Sequence, residues 1–388
     1  MTEPTLPPPN GSGSSIFSPL PTIGRFEHHG RVGELFPITL ANLFYKAITL
    51  GIYHFWGKTR VRRYLWGRTS FEGDALEYTG EGIELFKGLL FSLKWLLPPI
   101  LFFVMIIVFF IIGLVSKDSS LLPFIFVLFI YGYVIFLMGY GRYSARKYMF
   151  GHTRWRGIRL GLSGSAKDHA LKGLRYTFLT AITLGIYTPF MRNHLAANFI
   201  NHTWIGDRKL HYPTGKGIAV GFVGRFWGMV AMGAAYTFIR DLAYQKTVQG
   251  LADYFIRTMD ASDKSIIFMF QALVIFLAAL YYIPFAMIWF WYRAGEIRIF
   301  IDNTEIEGAH LQTNFDTGPF VWLRITNIAA VLVTLGLAFP WAAVRTARFF
   351  SNHIRIVGTL DLSSIGQSSE EVLREGEGLA EVFDLGII

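Results

Sequence analysis

The sequence predicts an all-α polytopic membrane protein: four transmembrane helices, three re-entrant helix-break-helix units forming a pseudo-threefold repeat, and small cytoplasmic β-strands. Three observations carry that expectation. Of 388 residues, 52% are hydrophobic and 16% aromatic, whereas only 16% are charged, well below the roughly 25% charged residues of ordinary soluble domains. Several long runs carry almost no charge. A five-residue segment, Thr-Leu-Gly-Ile-Tyr, also returns along the chain with matching flanks.

The apolar runs come first. Leu89 to Val115 and Leu121 to Tyr140 each supply the roughly 20 residues that a helix needs to cross about 30 Å of hydrocarbon. Gly217 to Ile239 and Ser265 to Tyr292 form a second pair, the first interrupted by Arg225 and the second by Pro284, a residue that kinks helices. These are the four expected crossings. The chain contains no cysteine, so disulfides and thiolate metal sites are excluded and redox chemistry says nothing of the compartment.

The repeat comes next. Thr49-Leu50-Gly51-Ile52-Tyr53 recurs as Thr183-Leu184-Gly185-Ile186-Tyr187 and, in eroded form, as Thr334-Leu335-Gly336-Leu337. Without gaps, Trp56 aligns with Phe190 and Trp341, Thr69 with Thr203, Tyr78 with Tyr212, and Gly73 with Gly358. A second arm follows the crossings: Arg142, Tyr148, Thr153, Trp155 and Gly157 keep the spacing of Lys58, Tyr64, Thr69, Phe71 and Gly73, and Arg293, Thr304, Ile306 and Gly308 follow it again. Each arm leads from basic residues into a short alternating stretch, such as Thr69 to Tyr78, that reads as a strand. Gly51, Gly185 and Gly336 suit a left-handed helix end, and Pro189 and Pro340 oppose simple continuation. Had each such segment crossed the membrane, Lys58 to Arg68 would face the side opposite Arg192 to Lys216, against the positive-inside rule. Entry and return keeps every basic cluster on one side.

These features divide the chain into a disordered leader (1–24), a membrane domain (25–358, with repeat units of about 25–141, 142–292 and 293–358) and an acidic cytoplasmic tail (359–388). The leader is rich in Pro, Ser and Gly, has no cation before Arg25 and does not resemble a signal peptide. The tail holds Asp361, Glu370, Glu371, Glu375, Glu377, Glu381 and Asp384 against Arg374 alone and reads as solvated. Net charge is +9. Beside apolar helices such a bias reflects orientation and headgroup binding, so anionic membrane lipid rather than nucleic acid is the expected partner.

The run from Phe36 through NLFYKAITLGIYHFWGKTRVRRYLW to FEGDALEYTGEGIELFKG resembles the YjgN-like family of bacterial inner-membrane proteins, whose function is not established. The resemblance covers Arg25 to about Leu360. It implies a bacterial inner-membrane protein and supplies no catalytic residues; the four expected crossings with every basic cluster on one side make it multi-pass with both termini cytoplasmic.

Candidate residues follow from the membrane setting. Arg225 lies inside a crossing, where a guanidinium must find a structural partner, a headgroup or a ligand. Lys46 stands where the other copies have Thr180 and Val331, so it is either idiosyncratic or a ligand contact. Lys58, Arg60, Arg62 and Arg63, and again Arg142, Arg146 and Lys147, are interleaved with aromatics and are expected at lipid headgroups. Gly217, Gly221, Gly224 and Gly228 make a small-residue stripe suited to close helix packing, within the chain or between copies in a homo-oligomer. His152, His202 and His353 occupy the position of Arg68 but lack metal-ligand spacing. Neither metal nor cofactor is expected. HExxH and Walker motifs are missing from the sequence, and Gly161 to Ser165 fails the nucleophile-elbow pattern, so the expectation is not an enzyme. Two readings remain: a transporter or channel-like protein, since repeats with broken helices build central sites, or a non-transporting module that organises lipids or recruits partners through its basic face.

Overall fold

The structure, a computed structural model, describes residues 21–95, 97–116, 122–213, 216–258 and 264–367. Among the described residues ten strands are present: β1 (Thr22–His28), β2 (Thr69–Phe71), β3 (Asp74–Tyr78), β4 (Thr153–Trp155), β5 (Ile158–Leu162), β6 (Thr203–Ile205), β7 (Arg208–Lys209), β8 (Glu305–Ile306), β9 (Ala309–Thr313) and β10 (Ile354–Gly358). They form one antiparallel sheet in the order β7-β6-β5-β4-β3-β2-β1-β10-β9-β8. His211 and Glu305 then exchange two backbone hydrogen bonds of 2.8 Å, joining the two edges into an almost closed barrel.

This overturns the all-α expectation. The strands are two to seven residues long, too brief for alternation to register as a major element, and only pairing around a ring turns them into a sheet. The count of four crossings does not stand either. Among the described residues one helical stretch, Gly221–Ala243, is long and apolar enough to cross a membrane, and Leu97–Ile111 and Thr317–Val333 are apolar but shorter. The run from Leu89 is broken at Leu93–Trp95 by a turn of 3-10 helix. The run from Leu121 begins at a residue outside the described set, and the run from Ser265 lies within the long helix Lys264–Asp302.

The helices are α1 (Val32–Ile48), α2 (His54–Gly67), α3 (Gly82–Ser92), α4 (Leu97–Ser116), α5 (Leu122–Gly151), α6 (Ala166–Ile182), α7 (Thr188–Ile200), α8 (Lys216–Thr258), α9 (Lys264–Asp302), α10 (Thr317–Val333) and α11 (Phe339–His353). Helical segments, two helices each except for three between β3 and β4, alternate with strand pairs, so the helices extend from one rim of the barrel and the strand-to-strand turns lie at the other. Packing follows chain order, α1 on α2, α2 on α3, α4 on α5, then each helix on its successor, and α11 returns to α1. Closure of the helix ring matches closure of the barrel.

Local chemistry explains the repeated residues. In each Thr-Leu-Gly turn the threonine hydroxyl donates to the carbonyl four residues earlier (Thr49 to Tyr45, 2.7 Å; Thr183 to Leu179, 2.8 Å; Thr334 to Ala330, 2.7 Å). It also accepts from the amide four residues later (Tyr53, 2.9 Å; Tyr187, 3.1 Å; Ala338, 2.8 Å). Leucine and glycine then take left-handed backbone, with φ of 50° at Leu50, Leu184 and Leu335 and of 92–94° at the glycines, a geometry that glycine adopts readily and leucine only under constraint. At the other helix ends Thr69, Thr153, Thr203 and Thr304 donate to carbonyls four residues back at 2.6–3.1 Å, covering a carbonyl that the helix leaves free where it becomes a strand. Thr69 to Tyr78 is therefore two strands, joined by Glu72-Gly73 with both φ positive, the tight turn that matches strand twist.

The barrel interior is filled. Phe71, Trp155, Ile306, Ala309, Ile356, Leu360 and Ile365 form its core, and the Trp155 indole donates to the Phe71 carbonyl at 3.0 Å. The segment after β10 seals the rim away from the helices. The Gly366 amide donates to Asp207 (3.0 Å), the Asp207 amide donates back to the Gly366 carbonyl (3.1 Å), and the Arg159 amide donates to Gln367 (2.8 Å). The expected solvated tail is thus pinned over residues 359–367, because Leu360 and Ile365 gain more by filling the barrel than by remaining in water. The expected leader ends earlier than 24, since Thr22 already pairs with Val357. The remaining leader and tail residues lie outside the described set.

Candidate functional site

The basic residues gather where the helices meet the barrel, but adjacent cations have different fates. Arg62 is 2% exposed and donates to the Tyr78 hydroxyl at 3.3 Å, so its expected place among lipid headgroups is corrected to one inside the protein. Its helical register turns it toward β3. Arg63, one residue on, is exposed and donates to the Gly80 carbonyl at 2.9 Å. Arg60 is exposed and donates to the Tyr53 hydroxyl at 3.0 Å. On α5, Arg142 is exposed, Arg146 lies 4.7 Å over the Phe199 ring, and Lys147 donates to the Gly164 carbonyl at 3.0 Å. Arg60, Arg63, Arg142 and Lys147 form the accessible part of this collar.

Arg225 lies against residues of α9. Its guanidinium lies 5.8 Å from the Trp291 ring centre, and a methyl group on Gly295 would meet its Nη1 at 2.1 Å. Gly295 thus makes room for the arginine in the α8–α9 contact. The small-residue stripe does not pack as expected: among the described residues, side chains added at Gly221 or Gly224 would meet nothing within 4 Å, and one at Gly228 would reach the Trp291 ring at 3.9 Å. The side-chain surroundings of Gly217 lie outside the described set. A closer approach occurs at Gly139 of α5, where an added methyl would stand 3.2 Å from the Ala170 Cα.

Sequence reasoning missed one ionic cluster. Glu296 of α9 is 1% exposed, accepts two bonds from Arg192 of α7, one of them 2.7 Å, and pairs also with Arg293. The Tyr292 hydroxyl donates to it at 3.3 Å. The signal was available, since Glu296 is the only acid between Lys264 and Asp302. A carboxylate so satisfied ties two helices together and leaves little capacity for a ligand.

The histidines of the helix ends serve locally. The Nδ1 atoms of His152, His202 and His353 each bond the carbonyl four residues earlier, at 2.9, 2.5 and 2.6 Å, and His152 Nε2 stands 3.4 Å from Glu84. His28, buried in β1, bonds Thr69 through Nδ1 at 2.8 Å. Burial, then the charge of Arg348 and neighbouring His29, pushes its pKa down to about 4.

The feature that gathers candidate residues is a cavity of about 440 Å³ between α1, α2 and the turn leading into α11. Phe36, Leu40, Leu43, Leu337 and Phe339 supply apolar wall, while Lys46 and Lys58 bring two cations to the same space. Among the described residues no aspartate or glutamate lines it. Arg225 lies elsewhere and lines none of this cavity.

No curated protein and no solved structure matches the chain. The family profile described as bacterial protein of unknown function (DUF898) spans residues 24–382, nearly the whole sequence, and the YjgN-like family is this same family. The chain therefore belongs to the DUF898 family of bacterial proteins of unknown function.

Proposed function

We propose that this protein is a module of the bacterial inner membrane that holds anionic lipid, with its barrel and both termini on the cytoplasmic side. One observation carries the reading. Leu50, Leu184 and Leu335, at equivalent turns of three helix pairs, are 93%, 92% and 94% exposed, each on left-handed backbone. Constrained turns that push apolar side chains outward three times over make sense in lipid and are costly in water. Exposed apolar residues continue along the helices, as at Phe44, Ile48, Phe103, Phe110, Phe178 and Val333. Arg60, Arg63, Arg142 and Lys147 suit contact with anionic headgroups, and their position beside the barrel supports the cytoplasmic orientation of that side.

Solute transport is the weaker reading. Arg225, the expected pathway residue, is taken up by Gly295 and Trp291, and side chains fill the barrel. Because the chain has no cysteine, single cysteines bearing a polarity-sensitive fluorophore test the proposal directly. In reconstituted vesicles, labels at Leu50, Leu184 and Leu335 should report hydrocarbon, and labels at Glu72 and Arg156 on the barrel turns should report water. Aqueous signals from all three tips would remove the membrane reading.

A further inference from the structure

We infer that the groove between α10 and α11, where these helices approach the barrel, binds one anionic phospholipid, its phosphate held by Arg345 and Arg348 and its acyl chain laid along the outer face of α10. The inference rests on the membrane reading and goes further, because it assigns one site, one orientation and one class of ligand.

The groove has the chemistry of a headgroup site. Its volume of about 350 Å³ falls in the roughly 300–1,000 Å³ range of sites that enclose small molecules. Trp322, Leu323 and Phe349 supply its carbon and Arg345, Arg348 and Asn352 its polar groups, and among the described residues no aspartate or glutamate lines it. Both guanidiniums are held by neutral partners. Arg345 donates through Nη1 to the Thr326 hydroxyl and, at 3.2 Å, to the Asn327 side-chain oxygen, and it lies 4.9 Å from the Trp341 ring centre. Exposed Arg348 donates through Nη2 to the Gly30 carbonyl at 2.9 Å. A guanidinium carries five N–H donors, so these bonds steer both side chains and leave donors on each for a phosphate, whose geometry an arginine fork matches. Two positive charges with no carboxylate beside them complement an anion.

Depth along the helices agrees. Arg348 stands five residues before the end of α11, as Arg63 and Lys147 stand four before the ends of α2 and α5. At about 1.5 Å per residue all three lie on one level near the barrel rim, where headgroups belong and the hydrocarbon-facing tips do not. Trp322 is 66% exposed and marks the interfacial layer in which tryptophan collects. From it, Ala329 and Val333 continue one face of α10 at helical spacing, both exposed, toward the tip at Leu335. A lipid seated with its phosphate at the arginines therefore runs its chain into hydrocarbon. Comparison with the equivalent helix pairs strengthens the argument. The first pair has Arg60 and Arg63 but Pro37 in place of Trp322, and its Arg60 is held by the Tyr53 hydroxyl, where the third pair has Ala338. The second pair has His194, Ala197 and Leu171. Two arginines and a surface tryptophan coincide only at the third.

The test uses the full chain purified in detergent, with fluorescent short-chain phosphatidylglycerol as probe. Expected is saturable binding of one tightly held probe per chain, displaced by unlabelled phosphatidylglycerol and far less by phosphatidylcholine or inorganic phosphate. Arg348→Gln should weaken it about tenfold, the scale of one charge-assisted contact. Asn352→Trp, which fills the groove from an exposed position, should abolish it and provides a second reading if the first variant melts early. Lys209→Gln, on the barrel, should bind as the parent does. Equal affinity for phosphatidylcholine overturns the inference, as does equal competition by inorganic phosphate or undiminished binding by either variant when stably folded. These outcomes are independent of the tip labels: lipid-facing tips with no probe binding reject this site alone, whereas water-facing tips reject the membrane reading itself.

Discussion

The barrel and the helix ring are built from one chain but follow opposite rules of burial. In the barrel, apolar residues such as Phe71, Trp155 and Ile356 point inward and are sealed by Leu360 and Ile365; in the ring, Phe44, Phe103, Phe178 and Leu332 point outward. A barrel can satisfy its backbone by closure and its side chains by a core, so water suits its exterior. The helices satisfy their own backbone and leave apolar side chains for whatever surrounds them, which is the arrangement hydrocarbon requires. On the membrane reading proposed above, the solvent would change at the rim carrying Arg63, Arg142 and Lys147.

The largest effect that sharpens this contrast is expected at Glu296, a buried charge within the helix ring. Glu296→Gln leaves Arg192 and Arg293 without their carboxylate and should cost about 3 kcal/mol, the lower end for breaking a buried pair, read as a fall in melting temperature in detergent. An unchanged melting temperature would mean that both arginines reach water or headgroups freely. Next comes Gly139→Leu, which forces α5 from Ala170 and should cost about 1–3 kcal/mol by overpacking. Gly224→Leu, with nothing within 4 Å among the described residues, should leave stability unchanged. Equal loss at both positions would show that the open glycine face is occupied after all.

The barrel has its own lever in His28. Its folded pKa is about 4 against an ordinary 6.5, so the unfolded chain binds a proton that the folded one refuses. Its contribution is complete above about pH 6.5 and declines as pH falls from there toward 4. His28→Gln should flatten the melting profile across that window, and a profile that keeps its slope would place the acid sensitivity elsewhere. The smallest effect is expected at a tip: Thr183→Val removes the hydroxyl that joins Leu179 to Tyr187 and should cost about 1 kcal/mol, as loss of a helix cap does.

Much of the local structure could be read from residues alone, because it depends on neighbours. Threonine four residues from a carbonyl, glycine at a left-handed turn and proline early in a second helix act within a single turn of chain, so Thr49-Leu50-Gly51 and its counterparts advertised the turns that the fold contains. Composition likewise pointed to an apolar surface. The sheet was hidden because a strand as short as Arg208–Lys209 has no periodicity of its own.

What tertiary structure decided was closure and the sorting of charge. β1 meets β10 across more than three hundred residues, pairing Thr22 with Val357, and His211 meets Glu305; nothing in either local segment specifies the other. The same holds for cations. Arg62 and Arg63 are identical in type and adjacent in sequence, yet one is buried against Tyr78 and the other is exposed, because a helix turns successive side chains about 100° apart and only the packed barrel determines which direction is inward. Lys46 and Lys58 come to line one cavity in the same way: the chain lists two lysines twelve residues apart, and the turn beside Leu335, contributed from the far end of the sequence, closes the space they share.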